Sequence, residues 1–96
     1  MTFDELCKLP GTQVVLFYGI GCAPCTALKP VLRAALEAVG KGDPVLLNVA
    51  SELPAARTLG IRTVPTVVAI EGGRPRVLFS GAKTAEQLVA IVKELA

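Results

Sequence analysis

The chain has 96 residues, 52% of them hydrophobic, with 10 Lys and Arg against 8 Asp and Glu and no His. This length and composition predict a single α/β domain, 1–96, that can bury a hydrophobic core without structural disulfides. The net charge of +2 and the scattered basic residues argue against a nucleic-acid or membrane-surface binding protein, and the lack of His excludes a Cys–His nucleophile pair.

Cysteine usage and the N-terminal segment bear on the compartment. The longest uninterrupted apolar run has five residues, far too few to span a bilayer. Asp4 and Glu5 stand where a secretory leader would need a basic start and an apolar middle. Three cysteines are an odd number for a structural disulfide framework. We therefore expect no membrane segment, no export and a reducing compartment, with the cytoplasm as the default.

The first predicted element is a short helix. Thr2-Phe3-Asp4-Glu5 has the pattern of a capping box, Phe3, Leu6 and Cys7 share one face, and Pro10-Gly11 would end the helix. Free cysteine is among the most buried residue types. We therefore expect Cys7 in the hydrophobic core; the alternative is a resolving or regulatory thiol.

A predicted strand at 14–18 leads through Gly19 and Gly21 into Cys22-Ala23-Pro24-Cys25, and a helix is predicted from about 23 to 39. Two thiols therefore lie where a strand passes into a helix. The unpaired N–H groups and the positive dipole end of a helix favour a thiolate there. The spacing of three also allows both sulfurs to close a small ring in the first turn. We predict reversible dithiol–disulfide chemistry at this pair.

The predicted helix is amphipathic. Its apolar stripe faces a core, whereas the opposite face carries charges at spacings of four, which is typical of a solvated surface. These charged residues are Lys29, Arg33, Glu37 and Lys41. Pro30 is expected to kink the helix and Gly40 to end it.

The next two elements follow without a long linker. The run 45–49 is predicted as a strand buried on both faces, which requires helices on both sides of its sheet. Ser51 is expected to cap a short helix that has Pro54 near its first turn and ends at Gly60.

The C-terminal part predicts a hairpin and a helix. Strands at 66–70 and 76–80 flank a turn that contains Gly72 and Gly73. A final helix starts at Thr84, where Gln87 completes a second capping box, and carries apolar residues as far as Leu95. A parallel βαβ unit followed by a hairpin gives a four-stranded mixed sheet flanked by helices on both faces.

The chain resembles the thioredoxin family along its whole length. The matching features are the Cys22-Ala23-Pro24-Cys25 motif, Pro30 five residues after the second cysteine, the segment Gly60-Ile61-Arg62-Thr63-Val64-Pro65-Thr66, and Phe79-Ser80-Gly81 before the last helix. A Cys-x-x-Cys motif alone is weak evidence, but it is strong beside this Val-Pro-Thr segment in a βαβ context. The resemblance implies a thioredoxin fold, here without the family's usual N-terminal first strand.

The resemblance also implies roles for the site residues. Cys22, at the helix start, would be the attacking thiolate, and Cys25, one turn further, would resolve the mixed disulfide. Pro65 is expected to be cis, which would turn the backbone of Val64 toward an extended substrate peptide; the alternative is a trans proline that only begins a strand. The implied substrate-binding residues are Gly21, Ala23, Pro24, Val64, Pro65 and Gly81.

Three positions depart from the family pattern. Gly21 replaces the usual Trp, which removes an apolar rim from the substrate groove. Leu16 and Leu46 occupy the positions of a buried Asp and its Lys partner, and we expect them to touch beneath the dithiol. Exchanging a buried ion pair for apolar residues is often neutral or stabilising. Proton transfer to Cys25 would then be slower or water-mediated.

The predicted function is that of an enzyme, a thiol-disulfide oxidoreductase that reduces protein disulfides without a cofactor or a metal. Its expected partners are disulfide-containing substrate proteins and an external reductase or small thiol, because the sequence has no Gly-rich dinucleotide motif. We expect a monomer.

Other functions compete with this prediction. Glutaredoxins share Thr63-Val64-Pro65, but proline is usually the first inner residue of their dithiol motif, so thioredoxin fits better. The remaining alternatives are a thioredoxin-fold interaction subunit with a secondary redox role, and a Cys-x-x-Cys module for a metal or an iron–sulfur cluster.

Overall fold

The computed structural model describes residues 1–95; Ala96, the last residue of the expected domain, lies outside the described residues. Within residues 1–95, four helices and four strands follow one another in the order expected from the sequence. Their bounds are α1 Phe3–Leu6, β1 Thr12–Tyr18, α2 Ala23–Ala38, β2 Val45–Asn48, α3 Leu53–Leu59, β3 Thr66–Glu71, β4 Arg74–Ser80 and α4 Ala85–Val92, with a 3₁₀ turn at Val49–Ser51.

The strands form one mixed sheet in the order β2-β1-β3-β4. Strand β1 pairs in parallel with β2 and antiparallel with β3, and β3 pairs antiparallel with β4. The predicted fold class is confirmed, including the absence of a strand before α1 among the described residues. This order places the carboxyl end of β1, from which the Cys22 loop leaves, between β2 and β3.

Two hydrophobic clusters cover the two faces of the sheet. On one face, α2 and α4 pack over β1, β3 and β4 around Leu16, Leu32 and Leu88. On the other, α1 and α3 pack over β1, β2 and β3 around Leu6 and Phe17. Successive side chains of β1 and β3 point to opposite faces, so both strands are apolar on both sides and their buried runs are nearly continuous.

The expectation for the strand at 45–49 was wrong. Strand β2 is four residues long and lies at the edge of the sheet, and only Leu47 is buried in it. Its run of apolar residues resembled a central strand, but sheet order depends on tertiary pairing that the local sequence does not show.

Several helix ends differ from their predictions. Both predicted capping boxes are present, at Thr2 with Glu5 and at Thr84 with Gln87. However, α1 ends at Leu6, well before Pro10, and Leu95 packs into the core beyond the end of α4. Cys7 is half-buried beside the α1–α3 core rather than within it.

The predicted cap of α3 was also wrong. Ser51 belongs to the 3₁₀ turn, which Asn48 caps by accepting a hydrogen bond from the Ala50 N–H. Pro54 in the first turn of α3 and Gly60 at its end agree with the prediction.

Candidate active site

The loop between β1 and α2 presents the two cysteines at the carboxyl end of the sheet. It lies against the segment that precedes β3: a Cβ atom on Gly19 would come within 3.2 Å of Val64 Cγ2. Glycine at position 19 therefore permits the close approach of these two segments. Cys22 is the N-cap of α2, and Pro24 stands in the first turn, where a missing N–H costs no helical hydrogen bond.

Cys22 and Cys25 form a disulfide, with a Cα–Cα distance of 5.3 Å. The Cys25 N–H donates to Cys22 Sγ over 3.2 Å. Cys22 is partly exposed, whereas Cys25 is only 4% exposed. The two cysteines are therefore unequal: Cys22 is partly exposed and its sulfur receives a backbone hydrogen bond, whereas Cys25 is buried.

The segment before β3 lies directly beside the disulfide. The Val64–Pro65 peptide bond is cis, as expected. The Val64 carbonyl oxygen is 3.9 Å from Cys22 Sγ. The Gly81 N–H donates to the Pro65 carbonyl over 2.9 Å, which ties this segment to the end of β4.

Thr66, the first residue of β3, fixes the segment that contains Val64 and Pro65 through side-chain hydrogen bonds. Its side chain is almost fully buried, and its hydroxyl bonds to the Thr63 carbonyl at 2.7 Å and to the Ser80 hydroxyl at 2.8 Å. Buried hydroxyls with satisfied partners keep a loop in one position. From the sequence, Thr66 was predicted as the first residue of a strand and as part of the family motif, but its two side-chain hydrogen bonds were not predicted.

The structure brings the residues expected to bind substrate into one region. Val64 is half-buried and Pro65 is buried next to Cys22, and Gly81 is half-buried beyond Pro65. Gly21, Ala23 and Pro24 are exposed around the disulfide. These positions are compatible with substrate contact, and their roles remain predictions.

A groove of about 650 Å³ lies on the other side of the disulfide. Both cysteines line it, together with residues from the ends of β1 and β2 and the start of α2. Ile20 at its edge is 86% exposed, a high value for a large apolar side chain. The groove is also lined by Leu16, Tyr18, Thr26, Lys29 and Leu46.

Lys29 is a groove residue that sequence analysis missed. It was assigned to the solvated face of α2 with Arg33, but it is half-buried and lines the groove. The available signal was its spacing from Cys25, since residues four apart are neighbours on a helix surface.

Leu16 and Leu46 are register partners on β1 and β2 and both line the groove beside Cys25. This agrees with their expected position beneath the dithiol. Leu16 is 1% exposed, but Leu46 is 36% exposed because it lies on the edge strand. Both leucines were expected at the positions of a buried ion pair, but only Leu16 is in fact buried.

The remaining cysteine, Cys7, packs beside the α1–α3 core and does not line the groove. Burial, with a smaller contribution from the charge of Asp4, raises the pKa of the Cys7 thiol. No cluster of three or more His, Cys, Asp or Glu side chains that could hold a metal ion occurs among residues 1–95. Within the same residues, none of the helices has the length and apolarity needed to cross a bilayer.

Comparison with known proteins gives a consistent result. The family model described as Thioredoxin matches residues 1–94. A thioredoxin of Alicyclobacillus acidocaldarius subsp. acidocaldarius is 35% identical over 85% of this chain and 81% of its own length. Chloroplastic thioredoxin Y of Oryza sativa subsp. japonica is 31% identical over 92% of this chain; the match spans 54% of that relative, about half its length.

Solved structures show the same fold. A thioredoxin of Malassezia sympodialis superposes with a TM-score of 0.76 at 25% identity, covering 98% of this chain and 86% of that one. A chain from a study of thiol resolution in yeast mitochondrial 1-Cys peroxiredoxin by glutathione and thioredoxin systems gives a TM-score of 0.80 at 25% identity, over 97% of this chain and 87% of that one.

Proposed function

The chain belongs to the thioredoxin family and is a thiol-disulfide oxidoreductase, and on this basis we propose that it reduces protein disulfides with Cys22 as the attacking thiolate. One observation carries the proposal. Cys22 and Cys25 are disulfide-bonded at the start of α2, with Cys22 partly exposed and Cys25 buried. Once reduced, such a pair would attack an external disulfide through Cys22 only.

The reaction begins from the reduced pair. The Cys22 thiolate attacks one sulfur of the substrate disulfide, forming a mixed disulfide and releasing one substrate thiolate. The Cys25 N–H that donates to Cys22 Sγ and the positive end of α2 both favour the thiolate. Cys25 then attacks the Cys22 sulfur, which releases the second substrate thiol and leaves the Cys22–Cys25 disulfide seen in the structure.

Substrate would dock along the segment before β3. The Val64 carbonyl is 3.9 Å from Cys22 Sγ, so a peptide paired with the Val64 backbone would bring its own sulfur to Cys22. Gly21, Ala23, Pro24, Pro65 and Gly81 surround that position and would contact the same peptide.

The partners follow from this chemistry. The substrates would be disulfide-containing proteins, and each turnover consumes two electrons that an external reductase or a small thiol must return. The structural neighbour with a TM-score of 0.80 comes from work on a yeast mitochondrial 1-Cys peroxiredoxin and its thiol resolution by the glutathione and thioredoxin systems. No cofactor is needed for these steps.

We also propose a cytoplasmic monomer. A free Cys7 thiol in a chain that also carries a redox-active disulfide suits a reducing compartment; the family alone does not decide this, since one relative is chloroplastic. Fractionation of source cells with an antibody to this chain would test the location. A monomer is supported by the sheet edges, which are a short β2 and a β4 that begins Arg74-Pro75-Arg76.

Insulin reduction with dithiothreitol as donor tests the function. We expect Cys22→Ser to abolish turnover, and Cys25→Ser to accumulate a mixed disulfide with substrate that mass spectrometry detects. Cys7→Ser is the matched control and should keep most activity, because Cys7 lies outside the site. Substantial turnover by Cys22→Ser would contradict the mechanism, and full function of the double Cys22→Ser/Cys25→Ser variant in a partner's assay would favour an interaction subunit.

A further inference from the structure

The groove beside the disulfide has the size of a small-molecule site. Its volume of about 650 Å³ falls within the range of roughly 300–1,000 Å³ that is usual for ligand pockets. Leu16, Ile20 and Leu46 supply apolar walls, and Tyr18 and Thr26 bring hydroxyl groups. A mostly apolar wall with a few polar groups is the usual composition of such a site.

The groove carries one sign of charge. Among the described residues that line it, Lys29 is the only charged one. Lys29 forms no ion pair within residues 1–95, in contrast to Arg33, whose guanidinium is 3.6 Å from Asp43. A half-buried lysine lays its stem on apolar surface and keeps its ammonium at the water boundary. The groove is therefore complementary to a compact anion.

The groove is separate from the segment proposed to hold a substrate peptide. Leu46 places it on the β2 side of β1, whereas Val64 and Pro65 lead into β3 on the opposite side of β1. Both regions reach Cys22, since Cys22 lines the groove and also lies 3.9 Å from the Val64 carbonyl. The groove shares Gly21 and Ala23 with the residues expected to contact the peptide, but not Val64 or Pro65, so a small molecule in it can reach the disulfide from the β2 side.

We propose that this groove binds a small thiol that carries a carboxylate, and that this thiol reduces the Cys22–Cys25 disulfide. The inference rests on the proposed redox function and names the chemical class of one electron donor. The carboxylate pairs with Lys29, and the aliphatic part of the thiol lies on Leu46 and Ile20.

The reaction consumes two thiols. The thiolate of the first attacks the accessible Cys22 sulfur, forms a mixed disulfide and expels Cys25 as a thiolate. A second thiolate attacks the sulfur of the small molecule, releasing Cys22 as a thiolate and one disulfide of the small thiol. Two electrons enter the protein, and the two cysteines take up the protons that the two donor thiols lost.

Two thiols of nearly equal size test the inference. The oxidised protein is mixed with 3-mercaptopropionate or with the uncharged 3-mercapto-1-propanol, quenched with acid, alkylated and followed by mass spectrometry. The measured quantity is the ratio of the two rate constants within each variant, because the intrinsic reactivities of the thiols cancel when variants are compared. Lys29→Gln should lower the ratio about threefold, and Lys29→Glu more, given the modest strength of a partly exposed ion pair.

Matched variants complete the design. Lys93→Gln, at an exposed position directly after α4, removes the same charge and should leave the ratio as in the native chain, and Lys29→Arg should keep it within about twofold. Raising the salt to about 1 M should shrink the difference between native and Lys29→Gln protein. Equal ratios for Lys29→Gln and Lys93→Gln would overturn the inference.

Two further outcomes separate the inference from the proposed function. If Lys29→Gln slows insulin reduction but leaves the thiol ratio unchanged, the groove receives an acidic substrate side chain and the small-thiol site is wrong. If dithiothreitol drives insulin reduction while neither monothiol reduces the disulfide, the oxidoreductase function stands and this donor class is excluded.

Discussion

Leu16 and Leu46 are neighbours on paired strands but differ sharply in environment. Leu16 is 1% exposed, within the core under α2, whereas Leu46 is 36% exposed at the sheet edge. A charged side chain should therefore lower the free energy of unfolding strongly at position 16 and only slightly at position 46. A charge can therefore be introduced near Cys25 at position 16 or at position 46 separately, and the effects compared.

Leu16→Asp should lower the free energy of unfolding by about 3 kcal/mol or more at pH 7, because it buries a carboxyl without a partner. Burial raises the pKa of that carboxyl, so the loss should grow as the pH rises from about 4, where the unfolded Asp ionises, up to the raised pKa. Urea denaturation at several pH values measures both effects. The same variant should speed resolution by Cys25 if the carboxylate accepts its proton.

Leu46→Lys is the control and should change stability by less than about 1 kcal/mol on its own, since the site is solvated. Combined with Leu16→Asp it should recover part of the loss. A neutral Leu16→Asp at pH 7 with unchanged turnover would show that position 16 is not buried near the dithiol.

Cys7 is a half-buried thiol next to an acidic side chain. Burial first, and the charge of Asp4 second, raise its pKa. The folded chain therefore holds the Cys7 proton to a higher pH than the unfolded chain does. Stability should fall as the pH rises past the pKa of the unfolded thiol, because the unfolded state then binds fewer protons.

Iodoacetamide alkylation of Cys7 in the Cys22→Ser/Cys25→Ser background should be slower at pH 8 than in urea, because less of the folded thiol is ionised. Asp4→Asn should increase the folded rate by up to about twofold, given the weak interaction of exposed charges. Asp43→Asn removes a carboxylate that is not among the causes of the raised Cys7 pKa and serves as the control. An identical pH profile for native and Asp4→Asn protein would show that Asp4 does not act on this thiol.

At the scale of elements, the β3–β4 hairpin is tied to the N-terminal segment. Its two-residue turn, Gly72-Gly73, has φ angles of 58° and 82°. The Gly72 N–H donates to the Gly11 carbonyl over 3.0 Å, and a Cβ on Gly73 would approach the Cys7 carbonyl oxygen to 2.8 Å. The turn therefore lies against the chain that leaves α1.

Gly73→Ala should destabilise the protein by more than Gly72→Ala. Both substitutions force a side chain into the left-handed region, at a cost of about 1–2 kcal/mol each, but only the change at Gly73 also clashes with backbone. We expect the difference to be about 1 kcal/mol or more in urea denaturation. Equal losses would mean that the segment after α1 moves away freely from the turn.

At the scale of the whole molecule, the disulfide stands between two different surfaces. The segment with Val64 and Pro65 lies on the β3 side, and the groove with Leu46 and Lys29 lies on the β2 side. Because β1 is central, its carboxyl end serves both surfaces. This arrangement allows a protein substrate and a small electron donor to approach the same sulfur from different directions.

The proposed monomer has a direct measurement. Sedimentation velocity of the oxidised and the reduced protein should each give one species with the mass of one chain, because the short β2 and the Arg74-Pro75-Arg76 start of β4 disfavour edge pairing. A dimer that persists under reducing conditions would contradict the proposal.

Local sequence signals determined much of this fold and part of its site. The capping residues Thr2 and Thr84 and the Gly72-Gly73 turn mark element ends through hydrogen bonds and backbone angles within a few residues. The Cys22 to Cys25 spacing, together with the Val64-Pro65-Thr66 segment, was sufficient for the family and for the redox chemistry. These features can be read from the sequence because each depends on neighbours in the chain or on a motif.

Tertiary structure decided what depends on distant neighbours. Strand β2 has the apolar run of a central strand, but pairing placed it at the edge and left Leu46 partly exposed. Lys29 has the spacing of a solvated helix face, but folding brought it into one groove with Cys22, Cys25 and Leu46 of β2. Exposure and groove shape arise from surfaces brought together by folding, so no local pattern in the sequence contains them.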